Sequence, residues 1–183
     1  CSCPSLVDLH EIARLIGIRD TWQKSSPDFQ RASNLSEFLS FVALDDLLAM
    51  PPAEVLRQGK EMGPRIRAKT LADAQNAIRN ATIMHFPGVD VYLFAGGRLS
   101  SDAATFLPAG AVGVSHDLIH EDGEMRMIFG LRAQGDIDVG ALAKRMGGGG
   151  HRGASGFSVP VTMEWYRDPV SIVRGLFSGE LPR

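Results

Sequence analysis

Ala111-Val-Gly-Val-Ser-His-Asp-Leu-Ile119 and Glu124-Met-Arg-Met-Ile-Phe-Gly-Leu-Arg132, separated by Glu121-Asp-Gly123, decide the fold. Two apolar runs of this length joined by Asp-Gly read as paired strands, because such turns need the positive φ angles that Asp and Gly tolerate. Before them, Val89-Asp-Val-Tyr-Leu-Phe94 reads as another strand and Gly96-Gly97 as a turn. Ser100-Ser-Asp102 suits the cap of a helix containing Ala103, Ala104, Phe106 and Leu107. After them, Val139 to Met146 has helical spacing, Gly156-Phe-Ser-Val-Pro160 reads as an edge strand ended by proline, and Asp168-Pro169 opens a helix to about Phe177. The order β-α-β-β-α-loop-β-α predicts an α/β (α+β) domain over residues 83–183, a small mixed sheet flanked by helices.

Upstream the pattern is helical. Leu6, Leu9, Ile12, Ala13, Leu15 and Ile16 keep helical spacing over 5–18, and Gly17 suits that helix's end. Residues 19–29 hold turn formers, and Ser33 or Asn34 suits the cap of a helix through Phe41, with Leu35, Phe38, Leu39 and Val42 facing inward. Pro51 and Pro52 fit the first turn of a long, half-polar helix over about 51–80, weakened by Gly59 and Gly63 and kinked or broken at Pro64. Such a helix is either a connector or the surface helix of a single domain. The expected division is a mostly helical part over 1–50, a connector over 51–82, and the sheet domain over 83–183.

The chain has 183 residues, 44% hydrophobic and 22% charged, with a net charge of −2. That is an ordinary globular composition, and it excludes a strongly basic nucleic-acid coat while leaving room for a local basic pocket. No stretch approaches the roughly 18 apolar residues of a membrane helix, and no leader pattern is visible. Cys1 and Cys3 sit too close together for an ordinary disulfide, which points to a reducing, cytoplasmic setting. Because residue 1 is a cysteine within mid-chain-like sequence, a fragment of a longer protein is expected.

The chemistry concentrates in Gly147-Gly-Gly-Gly-His151. Four glycines are entropically costly to fix, so the run suits a place where the chain approaches something closely or uses positive φ. Read as a loop after one helix and before another beginning at His151-Arg-Gly-Ala-Ser155, it offers amides of Gly148, Gly149 and Gly150 and a helix N-terminus to an anion. His151 would donate to a phosphate oxygen, and Arg132 would be its bidentate partner. A flexible glycine linker is the plain alternative. The run is neither a P-loop, lacking Lys-Ser/Thr, nor a dinucleotide fingerprint, since it follows a helix.

The ordered stretch from Phe129 to Phe157 closely resembles the signature of the DHH-associated domain, matching at Arg132, Ala143, Gly148, Gly149, Gly150, His151, Ala154, Gly156 and Phe157. It departs at Ser155, where alanine is usual. The resemblance implies the second lobe of a two-lobed phosphoesterase, holding a terminal phosphate through the glycines, the histidine and the arginine. It also implies manganese held by a first, catalytic lobe with Asp-His-His motifs, and no Asp-His-His occurs here. Ile18-Arg-Asp-Thr-Trp22 looks like a stretch that follows those motifs in bacterial members. The partners implied are single-stranded oligonucleotide or nucleotide phosphate and the missing catalytic lobe, with a homodimer as an assembly option. A non-catalytic binding module and an exopolyphosphatase-related role stand as alternatives.

Lys144 and Arg145 are further phosphate candidates that equally suit a solvated helix end, and Ser155 is another. His116 and His120 would lie about 13 Å apart on a strand, too far to share an ion. Asp20 and Trp22 read as a structural turn, and Ser100 and Ser101 as caps.

Overall fold

A computed structural model describes residues 6–162 and 168–179; Cys1 and Cys3 lie outside them. The chain divides into two compact units, Cys1–Thr70 and Leu71–Arg183, with the boundary inside one long helix.

The first unit is helical. Helices α1 (Leu6–Asp20), α2 (Phe29–Phe41), α3 (Leu44–Ala49) and the first part of α4 (Pro52–Arg79) pack around Leu15, Ile18, Ala32, Leu35, Phe38 and Val55. Three expectations need correction. Gly17 does not end α1, which runs on to Asp20, and α2 begins at Phe29, so Ser33 is a buried residue inside it rather than a cap. Nor does α4 break at Pro64. The Pro ring removes one helix hydrogen bond, but a Cβ on Gly63 would lie 2.4 Å from the Asn34 carbonyl oxygen. The glycines that were expected to weaken α4 instead let α2 lie against it. A buried ion pair, Arg67 to Glu37 at 3.0 Å, with the Thr70 hydroxyl donating to the same carboxylate at 2.9 Å, fixes the two helices together.

The second unit is a six-stranded mixed sheet ordered β1-β2-β3-β4-β6-β5. Its strands are β1 (Thr82–Phe86), β2 (Val89–Ala95), β3 (Val112–Glu121), β4 (Glu124–Ala133), β5 (Gly149–His151) and β6 (Ala154–Pro160). Among the described strands only β2 and β3 run parallel, joined by α5 (Ser100–Ala103) and short 3-10 turns on either side. The β3–β4 hairpin turns at Asp122 and Gly123, with φ of 50° and 83°, as the Asp-Gly pair requires. Helix α6 (Val139–Arg145) and α7 (Pro169–Ser178) are capped by Asp138 and Asp168, whose carboxylates accept from Ala141 and Val170 amides.

Strand β1 is absent from the sequence-based order, and so is β5. His151 to Ser155, expected to start a helix, forms the turn and first residues of the β5–β6 hairpin instead. Strand β6 is therefore interior where β5 pairs with it, at Ala154 to Gly156, and reaches the rim only further on.

One face of the sheet carries Met84, Val91, Leu93, Val112, Val114, Met127, Phe129, Leu131, Phe157 and Val159 against Val139 and Ala143 of α6 and Ile172, Val173 and Leu176 of α7. On the opposite face, Phe94 packs with Ala74 and Ile78 of α4 and with Ala103 and Leu107. Over β4, β6 and β5 that second face carries Gly130, Arg132, Ala154, Gly156, Gly149 and His151, none of which is buried.

Candidate anion site on the sheet face

Residues paired across a sheet point to the same side. The register aligns Ile83, Tyr92, Gly113, Arg132, Ala154 and His151 in one row across all six strands. Arg132 and His151 therefore share a face, two strand spacings or about 10 Å apart at the backbone, with only the Ala154 methyl between them. The two side chains flank a small floor.

Arg132 is half-buried, and its hydrogen-bond acceptors are all neutral. Nη1 donates to the Leu131 carbonyl at 2.9 Å and the Ser155 carbonyl at 3.5 Å, and Nη2 donates to the Ser101 hydroxyl at 3.1 Å. Among the described residues no carboxylate lies within ion-pair distance of it, whereas Arg14, Arg31, Arg57, Arg67 and Arg126 each have at least one. Burial pushes its guanidinium below the usual arginine range. A partly desolvated cation with neutral partners is unfavourable unless an anion completes it.

Three of the four glycines have separate structural reasons. Gly147, at φ 75°, ends α6 in a Schellman motif: its amide donates to the Lys144 carbonyl and that of Gly148 to the Ala143 carbonyl. The Gly148 amide is thereby taken, which corrects its expected role as a donor to phosphate. Gly148 also crosses β6 so closely that a Cβ would sit 2.2 Å from the Gly156 carbonyl oxygen. Gly150 adopts φ 138° against Ser155, while nothing lies within 4 Å of a Cβ on Gly149. Strand β5 forms the sheet's edge, and alternate amides of an edge strand point away from the ladder. The run is thus an edge strand rather than a loop feeding a helix, and no helix N-terminus follows it.

Three further candidates separate from this face. Ser155 neighbours Ala154 on β6 and so points the other way, where its buried hydroxyl donates to the Val139 carbonyl at 2.6 Å. It ties α6 to the sheet instead of reaching a ligand. Ser155→Ala should cost about 1 kcal/mol of stability in denaturant unfolding and leave phosphate binding unchanged. Lys144 and Arg145 lie on α6, against the opposite face, and the Arg145 guanidinium donates to the Leu176 carbonyl at 3.2 Å. Sequence reasoning assigned Ser101 to a helix cap. The residue before α5 is Leu99, no side-chain cap bond forms there, and the Ser101 hydroxyl turns to Arg132 instead.

The remaining candidates have structural places. The Arg19 guanidinium lies 4.1 Å from the Trp22 ring centroid, Phe29 meets that ring edge-on at 5.6 Å, and Asp20 is exposed. His116 is half-buried with its ring 6.3 Å from Phe129, and burial lowers its pKa against the opposing charge of Asp117. His85 stands on β1 with its ring 2.8 Å from the Asp90 carboxylate. The chain also holds an Asp-x-Asp spacing, Asp136 and Asp138, the second of which caps α6. Among the described residues no group of three or more His, Cys, Asp or Glu could hold a metal ion. The residues present thus do not fit the manganese implied by the resemblance, and no step through a metal is assigned to them. None of the described helices is long and apolar enough to cross a membrane.

No protein-family model matches the chain, and no curated protein matches its sequence. Solved structures with a similar fold include the pGpG-specific phosphodiesterase PggH from Vibrio cholerae, at 13% identity and a TM-score of 0.40, covering 91% of this chain and 57% of that one. An exopolyphosphatase-related protein from Bacteroides fragilis is similar at 18% identity and a TM-score of 0.39, covering 69% and 41%. The chain spans about half the length of these structures. At this level of likeness, the chemistry of the site rests on the chain's own residues.

Proposed function

We propose that this chain is the phosphate-holding part of a phosphoesterase of the DHH kind, and that its sheet face clamps the terminal phosphate of a short oligonucleotide or nucleotide. The observation that carries this reading is Arg132, half-buried, held by neutral acceptors, and aligned with His151 across Ala154. A phosphate supplies what Arg132 lacks, a compact anion with several acceptor oxygens. The ordered resemblance from Phe129 to Phe157 supports the same residues. In this reading the metal and the attacking water belong to sequence outside these 183 residues, so the chain binds and does not hydrolyse.

Calorimetric titration with a 5′-phosphorylated dinucleotide and its unphosphorylated counterpart tests the reading. Binding should favour the phosphorylated ligand by about tenfold or more. Equal affinity for the two, or manganese-dependent hydrolysis by the 183-residue chain alone, would overturn it.

A further inference from the structure

We infer that Ser101 is a direct contact of the bound phosphate and makes the site select a terminal phosphate over an internal phosphodiester. The inference rests on the phosphate-holding reading above. Its starting point is a hydrogen bond whose direction is fixed, because a guanidinium can only donate. Ser101 Oγ therefore accepts from Arg132 Nη2 at 3.1 Å. A hydroxyl that accepts still has its own proton to give, and no described residue receives it. Ser101 is half-buried beside Arg132, so this proton belongs to the same patch.

The neighbouring serine strengthens the case. Ser100 is 5% exposed, and its hydroxyl has no partner. It sits over Gly130 on the same sheet face, where a Cβ on that glycine would lie 3.0 Å from Ser100 Oγ and 2.7 Å from Ser115 Oγ. The N-cap residue of α5 is Leu99, which has no side-chain cap bond, and the Ser101 hydroxyl meets Arg132 on the sheet face.

The chemistry of the phosphate then gives the specificity. Arg132 and His151 share the sheet face across Ala154, and Ser101 meets Arg132 Nη2. A terminal phosphate monoester presents three non-bridging oxygens and a charge of about −2, whereas an internal diester presents two and a single charge. The monoester therefore offers each of the three donors a stronger, charge-assisted acceptor. Ser101 is the donor whose removal should narrow the difference between the two ligands.

The test uses the 183-residue chain titrated calorimetrically with pApA and with ApA, which carries only the internal diester. Ser101→Ala should weaken pApA binding about tenfold and leave ApA binding unchanged. Ser101→Thr, which keeps the hydroxyl, should restore pApA binding to within about threefold of the parent. Ser101→Cys keeps the volume but donates weakly, and should repeat the loss, which separates hydrogen bonding from packing. The inference fails if Ser101→Ala binds pApA as the parent does, or if it loses both ligands equally. The underlying phosphate reading fails separately, if the parent chain itself binds pApA no better than ApA.

Discussion

Arg132→Met should leave the chain at least as stable as the parent while weakening binding of a phosphorylated dinucleotide by about a hundredfold or more. The two effects have one cause. Burial lowers the Arg132 pKa, so the folded state disfavours the charged form that arginine keeps at every ordinary pH. For a base with a depressed folded pKa, the charge costs folding free energy throughout the range below that pKa. Neutral acceptors from Leu131, Ser155 and Ser101 offset part of that cost. Methionine fills similar space without the charge, so the melting midpoint should hold or rise. The bound anion, by contrast, loses its cationic partner. Arg132→Lys should recover binding only in part, because an ammonium cannot hold Ser101 and a ligand oxygen in one planar fork. Calorimetry and thermal unfolding on the three proteins measure this. A melting point several degrees lower with binding retained would mean that Arg132 is a structural residue.

Gly148→Ala should have the largest effect on stability. The added carbon would meet the Gly156 carbonyl oxygen at 2.2 Å and Phe157 Cβ at 2.5 Å. Both obstacles belong to β6, which is hydrogen-bonded to β4 and cannot retreat alone. Overpacking against a fixed backbone costs about 3 kcal/mol, corresponding to a fall of about 10 °C in Tm for a unit of this size. Binding should fall as well, since Gly148 anchors the edge strand that carries His151. Gly149→Ala is the matched control, because no atom lies within 4 Å of its added carbon. It should change Tm by less than about 3 °C. Similar losses at the two positions would show that glycine flexibility, rather than close approach, sets the requirement.

The parts of this fold written in local chemistry were legible. Asp122-Gly123 named its hairpin, Asp168-Pro169 opened α7, and the apolar residues Leu35 and Phe38 lie in the core of the first unit. The parts decided by distant partners were not. Strand β1 is five residues with two polar members directly after a long helix, and its pairing with β2 creates it. Strand β5 is mostly glycine, which has no strand preference of its own, and β6 holds it in place. Reading 151–155 as a helix also hid the alternation that sends Ala154 and Ser155 to opposite faces. Arg132 and His151 were readable as a pair from their place in the motif. Ser101 was not, because its meeting with Arg132 spans 31 residues of chain and depends on how α5 lies on the sheet.

The proposed function requires a phosphate between Arg132 and His151 on the second face of the sheet. A nitrogen–proton NMR spectrum of the isotopically labelled chain, titrated with a 5′-phosphorylated dinucleotide, tests it residue by residue. Shifts should appear at the Arg132 Nε–H, at the Gly149, Gly150 and His151 amides and at Ser101. The signals of Lys144 and Arg145 on the opposite face, and those of α1 and α2, should stay in place. Shifts confined to α6 and α7, with Arg132 and His151 unmoved, would contradict the account.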